Sequence, residues 1–148
     1  RRINRYTINY YGKIIVDKLK TVKKKNQVLI MGLAFKGNPE TIDLRNSPGL
    51  ELGNFLKKQK IKVDFLDPMQ NMMKKIFVGK NKHSFCLRQN KIKNYDMIII
   101  INNHQYFLDI IDKNLKRNRT IHRKFVFDCW NLLDYNNINN LNWNYFNL

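Results

Sequence analysis

Short β-prone runs that recur between helical segments most constrain what this chain can fold into. The runs occupy residues 28–31, 61–65, 98–101, 125–128 and 143–146. Helical patterns separate most of them, and strands that alternate with helices form parallel sheets with helices on both faces. The sequence therefore predicts an α/β fold, a Rossmann-like three-layer sandwich with a mostly parallel sheet. The pattern also predicts short helices over residues 69–77 and 88–95, a helix over 104–114, a loop at 78–82 and a short strand at 83–87.

The first segment predicts a helix that precedes the sheet. One apolar stripe recurs at steps of three and four residues and consists of Ile8, Tyr11, Ile15, Leu19 and Val22. Three further apolar residues lie off that stripe: Ile3, Tyr10 and Ile14. This second apolar side has two interpretations, a wide core face or a face that packs on something outside the chain. We divide the chain into this helix, residues 1–22, and a domain over residues 26–148.

Composition limits the class of protein. No apolar run approaches the roughly 20 residues that span a bilayer, no secretion signal is recognisable at the start, and two cysteines form no disulfide framework. These features predict a cytoplasmic protein without a membrane partner. The net charge of +17 has two interpretations, a nucleic-acid binder or compositional drift towards Lys, Asn and Ile. We favour drift because the lysines look scattered and no nucleic-acid motif accompanies them, so a nucleic-acid partner is not expected.

The stretch "GLAFKGNPETIDLRNSP", residues 32–48, follows the first strand and leads into a helix. Its glycines make neither the G-x-G-x-x-G of a dinucleotide loop nor, with Asn38 in the lysine position, an NTPase phosphate loop. Ligands of open parallel sheets bind beyond the carboxyl ends of the strands. Lys36 offers a cation to a phosphate there, and Phe35 a surface for a base or ribose. The alternatives are a solvated lysine and a core phenylalanine.

The other candidate metal-binding and catalytic residues lack the partners that these functions require. His83, His104 and His122 are well separated and lack partners at ligand spacing, so no metal site is predicted. Cys129 ends a strand without an evident base, which favours a structural thiol over a nucleophile. Asp43 and Arg45 are two residues apart, and an ion pair or loop-tying hydrogen bonds would explain them.

Several ordered motifs resemble the C-terminal domain of the UDP-glucose/GDP-mannose dehydrogenase family. They are G-x-A-F-K, D-x-R-x-S-P and L-E-L in the first half, then "VDFLDP", "YDMIIIINNHQYF", "FVFDCWNLLD" and the aromatic tail "NWNYFNL". The first segment, "RRINRYTINYY", resembles the end of the helix that connects the two halves of these enzymes. The resemblance covers most of the chain.

The resemblance implies a function. The domain would bind the nucleotide half of a UDP-sugar, and the whole enzyme would oxidise the C6 alcohol of the sugar to a carboxylate, for polysaccharide precursors, with NAD as the oxidant. The family's catalytic cysteine, in a Gly-Gly-x-Cys motif, and its NAD loop have no counterpart here. Catalytic residues are therefore expected elsewhere, NAD on a missing N-terminal domain, and a homodimer through the connecting helix. The alternative is a stand-alone or degenerate nucleotide-binding module without catalysis.

The resemblance also assigns residues. Phe35 and Lys36 fall on the Phe-Lys pair that lines the nucleotide-sugar site, and Asp43 and Arg45 fall on residues that brace its loop. Trp130 and Asn131 fall on the D-x-R-N segment, where Trp130 replaces an arginine that helps to hold the ligand. A tryptophan can stack on a ring but cannot neutralise a diphosphate. The loop between Lys36 and Asp43 is also longer than in the family pattern.

Overall fold

A computed structural model describes residues 2–22, 26–34, 36–76, 84–86, 89–115, 124–134, 136, 138 and 143–147. The α-helices are α1 (Arg2–Lys20), α2 (Pro48–Lys58), α3 (Gln70–Ile76) and α4 (Gln105–Leu115), and a 3₁₀ helix spans Gln89–Asn94. The strands are β1 (Gln27–Met31), β2 (Lys62–Leu66), β3 (Ser84–Phe85), β4 (Met97–Ile100), β5 (Lys124–Asp128) and β6 (Trp143–Asn147).

The six strands form one sheet in the order β3-β2-β1-β4-β5-β6, and every neighbouring pair is parallel. The predicted α/β fold is confirmed. The chain moves outward from β1 through β2 to β3, and then returns to the other side of β1 to continue through β4, β5 and β6. The order therefore reverses between β1 and β4, which is where open α/β sheets form a ligand crevice beyond their carboxyl ends.

The core has two layers, one on each face of the sheet. Val28 and Ile30 of β1 pack with α1 and α2, whereas Leu29 and Met31 pack with α4 and the 3₁₀ helix. This alternation follows from the period of two along a strand. Because all of these residues are fully buried, β1 is covered on both faces, as its continuous apolar run predicts.

Helix α1 buries only part of its apolar surface. Ile15 and Leu19 of the predicted stripe are buried, and Tyr11 packs against the same cluster. Tyr10 on the second side is 53% exposed, and Tyr6 is 75% exposed. None of the described helices is both long and apolar enough to cross a membrane.

Two predicted elements differ from the structure or lie partly outside it. The helix predicted over residues 88–95 is a 3₁₀ helix of six residues, because so short a connection between two buried segments accommodates the tighter turn. Of the strand predicted at residues 83–87, Ser84 and Phe85 form β3. The predicted loop at 78–82 lies outside the described residues, as do His83 and His122.

Candidate functional site

Three loops meet at the carboxyl edge of the sheet, one after each of the neighbouring strands β1, β4 and β5. The loops after β1 and β4 flank the point where the strand order reverses. Residues 35–45, 67–68, 102–106 and 129–134 follow β1, β2, β4 and β5, respectively. The contacts among these loops define the candidate site.

The turn after β1 is held by a buried carboxylate from the next strand. Asp67 is 2% exposed, and its Oδ2 accepts hydrogen bonds from the amides of Leu33 (2.8 Å) and Ala34 (3.3 Å). Its Oδ1 accepts from the amide of Met69 (2.9 Å). Hydrogen bonds to an ionised acceptor are among the stronger ones in proteins. Asp67 therefore fixes the backbone from which residues 35 and 36 follow.

Helix α2 locks the same turn from the other side. Ser47 caps the helix by accepting from the amide of Leu50 (3.1 Å), and its hydroxyl donates to the carbonyl of Leu33 (2.5 Å). Gly49 lies so close to Gly32 that a Cβ on it would approach the Gly32 oxygen to 2.5 Å. Pro48 at the first helical position suits this start, since its missing N–H has no partner to lose there. The Ser-Pro start thus joins the helix to the turn.

The loops after β1 and β4 are in direct contact. A Cβ on Gly37 would lie 2.6 Å from the backbone nitrogen of His104. The amide of Tyr106 donates to His104 Nδ1 (3.1 Å), so Nε2 carries the ring proton and donates to Glu40 Oε1 (2.7 Å). Glu40 belongs to the loop between Lys36 and Asp43. This loop is therefore tied to the loop after β4.

Asn102 lies where the loops after β1 and β4 meet, and one of its polar side-chain atoms has no hydrogen-bond partner. It is 3% exposed, its Nδ2 donates to the carbonyl of Ala34 (3.3 Å), and its Oδ1 has no hydrogen-bond partner. Buried oxygens without partners are rare in folded proteins. At the crevice, such an acceptor is a candidate contact for a donor of the ligand.

The two predicted loop-bracing residues pair with each other. Asp43 accepts from the backbone amide and from the Nε and Nη2 of Arg45, at 3.0, 2.9 and 2.7 Å. The Arg45 hydrogen bonds lower the pKa of the Asp43 carboxyl to about 2. As pH falls towards that value the carboxylate is protonated and the pair is lost. The Arg45 side chain is 87% exposed and that of Asp43 is 36% exposed, so the pair is open to solvent and contributes little to global stability.

The loop after β5 is built around a second buried carboxylate. Asp128 is fully buried and accepts from the amides of Trp130 (3.0 Å) and Leu133 (2.9 Å) and from the Tyr145 hydroxyl (3.1 Å). Burial, together with the charge of Asp128, raises the pKa of Tyr145, so the hydroxyl keeps its proton as a donor. Asn131 follows in a left-handed conformation with φ of 53°. Its Oδ1 accepts from Asn147 Nδ2 (3.0 Å).

Trp130 presents an exposed ring that is anchored at one edge. Its Nε1 donates to the carbonyl of Ile101 (2.7 Å), the residue that follows β4, and the side chain is 52% exposed. The bond holds the indole between the loops after β4 and β5 while about half of the residue stays exposed. A planar ligand group can stack on an exposed aromatic ring.

Lys36 and Phe35 complete the set of predicted residues. Lys36 is exposed and follows the locked turn. Phe35 lies outside the described residues. Within the described part of the chain, no cluster of three or more His, Cys, Asp or Glu could hold a metal ion. Burial and the charge of Asp128 raise the pKa of the half-buried Cys129 thiol to about 12, so it is not a thiolate near neutral pH.

A family model described as the UDP binding domain of the UDP-glucose/GDP-mannose dehydrogenase family matches residues 29–135. The chain belongs to this family. The matched range contains the turn after β1, the loop after β4 and the loop after β5, and therefore the whole candidate site. No curated protein matches the chain.

Solved structures of dehydrogenases share the fold of this family member. A UDP-glucose dehydrogenase from the hyperthermophilic archaeon Pyrobaculum islandicum is 23% identical, with a TM-score of 0.63 over 86% of this chain. An NDP-N-acetyl-D-galactosaminuronic acid dehydrogenase from Methanosarcina mazei Go1 is 16% identical, with a TM-score of 0.66 over 99%. The UDP-N-acetyl-mannosamine dehydrogenase of S. aureus is 20% identical, with a TM-score of 0.56 over 94%. The chain spans only 27%, 30% and 31% of these proteins, respectively.

Several contacts of the UDP-binding domain are not predicted by the sequence. Asp67 and Asp128 accept hydrogen bonds from backbone amides far along the chain or inside a turn, and Glu40 contacts His104 across 64 residues. The sequence predicts no role at the site for Asn102 or His104. For Asp67 and Asp128 the available signal is position, because Asp67 directly follows a predicted strand and Asp128 ends one.

Proposed function

We propose that this chain binds the nucleotide half of a UDP-sugar at the carboxyl edge of the sheet. It would serve as the nucleotide-sugar-binding domain of an NAD-dependent nucleotide-sugar 6-dehydrogenase that supplies polysaccharide precursors. The observation that carries the proposal is the position of the family-matched motifs, which meet where the strand order reverses. Ligand crevices of open α/β sheets form at such points.

Within the proposal, three residues each contact a different part of the ligand. Lys36 supplies a positive charge to the diphosphate, from a backbone that Asp67 and Ser47 hold rigid. Trp130 offers its exposed indole to the uracil ring. The buried Oδ1 of Asn102 accepts a hydrogen bond from a ligand donor, which would satisfy an otherwise unpaired atom. Phe35 and Asn131 line the same site by family resemblance.

The hydride acceptor and the nucleophile are assigned to other parts of the enzyme. A separate domain would hold NAD, which would supply the oxidising power for the sugar alcohol. The turn after β1 lacks the three glycines that let a dinucleotide pyrophosphate approach, so it does not fit NAD. Cys86 is buried and Cys129 holds its proton near neutral pH. The proposal therefore needs a separate NAD-binding dehydrogenase domain, with α1 as the end of the connecting helix and a homodimer contact.

The second candidate function is a nucleotide-binding module without catalysis. Two observations favour it: Cys86 is buried, and burial together with the charge of Asp128 raises the pKa of the Cys129 thiol. Both candidates require the same UDP site. An assay for UDP-sugar oxidation by this chain together with a partner domain distinguishes the two candidates. Oxidation supports the dehydrogenase, and UDP binding without oxidation supports the non-catalytic module.

The exposed Trp130 gives a direct optical test of the site. UDP is expected to quench tryptophan fluorescence, because Trp130 is 52% exposed at the site whereas Trp143, the other tryptophan, is 1% exposed. Trp130→Phe should abolish the quench, although calorimetry should still detect binding. Trp130→Ala should weaken binding about tenfold or more, as expected for a lost base-stacking contact. Unchanged affinity in Trp130→Ala would remove Trp130 from the site.

A further inference from the structure

Lysines that look scattered in sequence gather at one edge of the folded domain. Every described strand runs in the same direction, so the segments that precede the strands meet at the opposite edge from the candidate site. Five exposed lysines lie in these segments, and we call them the amino-edge lysines: Lys58, Lys60, Lys62, Lys91 and Lys93. They precede or begin β2, or precede β4.

The backbone that carries these lysines is fixed. The Lys62 amide donates to the carbonyl of Asn26 (3.1 Å), and the Asp96 amide donates to the carbonyl of Gln27 (2.9 Å). The ammonium of the buried Lys124 donates to the carbonyls of Lys93 and Tyr95, which joins the 3₁₀ helix to β5. The lysines before β2 and those before β4 therefore stand on either side of β1, with adjacent strands about 5 Å apart.

Two described acidic side chains close to these segments already accept hydrogen bonds from other groups, and one of them, Asp64 of β2, accepts from the Tyr95 hydroxyl (2.7 Å). Residues 58–62 contain no acidic residue, and the only one in residues 89–96 is Asp96. Asp96 is 3% exposed, and its Oδ2 accepts from the amide of Gln27. At the carboxyl edge, by contrast, Arg45 pairs with Asp43 and His104 bonds to Glu40. The amino-edge lysines are therefore a group of positive charges on the side of the domain that the UDP-sugar proposal does not use, and their own segments contain no exposed acidic side chain.

Two simpler explanations account for only part of this pattern. Basic residues in the last turn of a helix interact favourably with the helix dipole, which accounts for Lys58 in α2 and for Lys91 and Lys93 in the 3₁₀ helix, but Lys60 and Lys62 lie beyond the end of α2. Lys60 also has φ of 62°, a left-handed conformation that glycine or asparagine adopts more easily. Compositional drift explains the number of lysines but not their grouping at one edge.

The same edge lacks apolar and aromatic anchors. The exposed large hydrophobic side chains of the described chain are Tyr6, Tyr10, Ile42, Met72 and Trp130. None of them lies in residues 58–62 or 89–96, where Ile61, Ile92 and Tyr95 are buried. A membrane interface would favour exposed aromatic or aliphatic anchors, and single-stranded nucleic acid would favour stacking platforms. A regular array of phosphates needs neither.

We propose that the amino-edge lysines bind the phosphate backbone of double-stranded nucleic acid without reading its sequence. Each lysine that neutralises a phosphate releases counterions, so affinity falls linearly on a logarithmic plot against salt, with a slope of about −0.9 per contact for a DNA duplex. Five lysines thus set an upper slope of about −4.5. UDP binding occurs at the opposite edge and is independent of this interaction.

The test is fluorescence anisotropy of a labelled duplex of about 20 base pairs with the 148-residue chain, between about 50 and 200 mM salt. The pair Lys62→Gln/Lys93→Gln should reduce the steepness of the salt slope by about 1.8. The matched pair Lys13→Gln/Asn71→Asp changes the net charge equally, at exposed positions outside the amino edge, and should leave the slope unchanged. DNA and RNA duplexes compared side by side identify which backbone binds more tightly.

A further variant separates binding from folding. Lys60→Gly removes the lysine and relieves the left-handed conformation, so duplex affinity should fall while the thermal midpoint does not. Absence of duplex binding at about 50 mM salt, an equal loss in both matched pairs, or tighter binding to single strands or anionic vesicles would overturn the proposal.

Discussion

Replacing Asp67 with alanine is expected to lower the free energy of unfolding by about 4 kcal/mol, because three backbone amides lose their acceptor and each buried unpaired donor costs about 1–3 kcal/mol. Two of the three, from Leu33 and Ala34, belong to buried residues. The same change should abolish UDP binding, since it releases the turn that carries Lys36. Urea denaturation measures the first effect and calorimetry the second.

Asp43→Ala provides the control for the Asp67 experiment. Asp43 also accepts a backbone amide two residues ahead, but its loop is exposed and its partner Arg45 is in solvent. Its removal should leave the urea midpoint nearly unchanged. Equal losses in the two variants would show that Asp67 does not hold the turn more strongly than a surface residue holds its loop.

Gly32→Ala is expected to destabilise the domain by about 2–6 kcal/mol. Gly32 has φ of 99°, a conformation that costs an L-residue about 1–3 kcal/mol. The new methyl would also lie 2.7 Å from Asn102 Cγ, within a buried contact, and overpacking adds about 1–3 kcal/mol. The shift of the thermal or urea transition measures the loss.

Gly12→Ala is the matched control for Gly32→Ala. Its methyl would approach Phe55 Cε1 to 2.5 Å, but this is the end of a half-buried side chain that can move, and Gly12 lies in a helix. Alanine in a helix interior gains up to about 1 kcal/mol over glycine, so the net change should be close to zero. Adding Asn102→Ala to Gly32→Ala should recover the steric part of the loss. A loss in Gly12→Ala as large as that in Gly32→Ala would contradict this account.

Local patterns explain why much of the fold could be predicted. Residues 28–31 are continuously apolar, and β1 is buried on both faces. A serine followed by proline is typical of a helix start, and α2 begins at Pro48 with Ser47 as its cap. Such signals depend on neighbours within a few residues, so the sequence contains them directly.

The site depends on contacts that no local pattern contains. The bond from Leu33 to Asp67 spans 34 residues, and the contact of His104 with Glu40 spans 64. The Asp43–Arg45 pair, two residues apart, could be anticipated. The hydrogen bond from Trp130 to Ile101 could be predicted only by knowing that β4 and β5 are neighbours in the sheet. The grouping of lysines at the amino edge likewise appears only when the strand direction is known.

Calorimetric titration with UDP tests the central claim most directly, namely that the locked turn after β1 presents Lys36 to a nucleotide diphosphate. The unmodified chain should bind UDP, and Lys36→Ala should lose at least about tenfold in affinity, since a hydrogen bond to a charged group contributes about 1.5–3 kcal/mol. Lys13→Ala, an exposed lysine of α1, should bind UDP as the unmodified chain does. No UDP binding by the unmodified chain, or equal affinity in Lys36→Ala, would contradict the account.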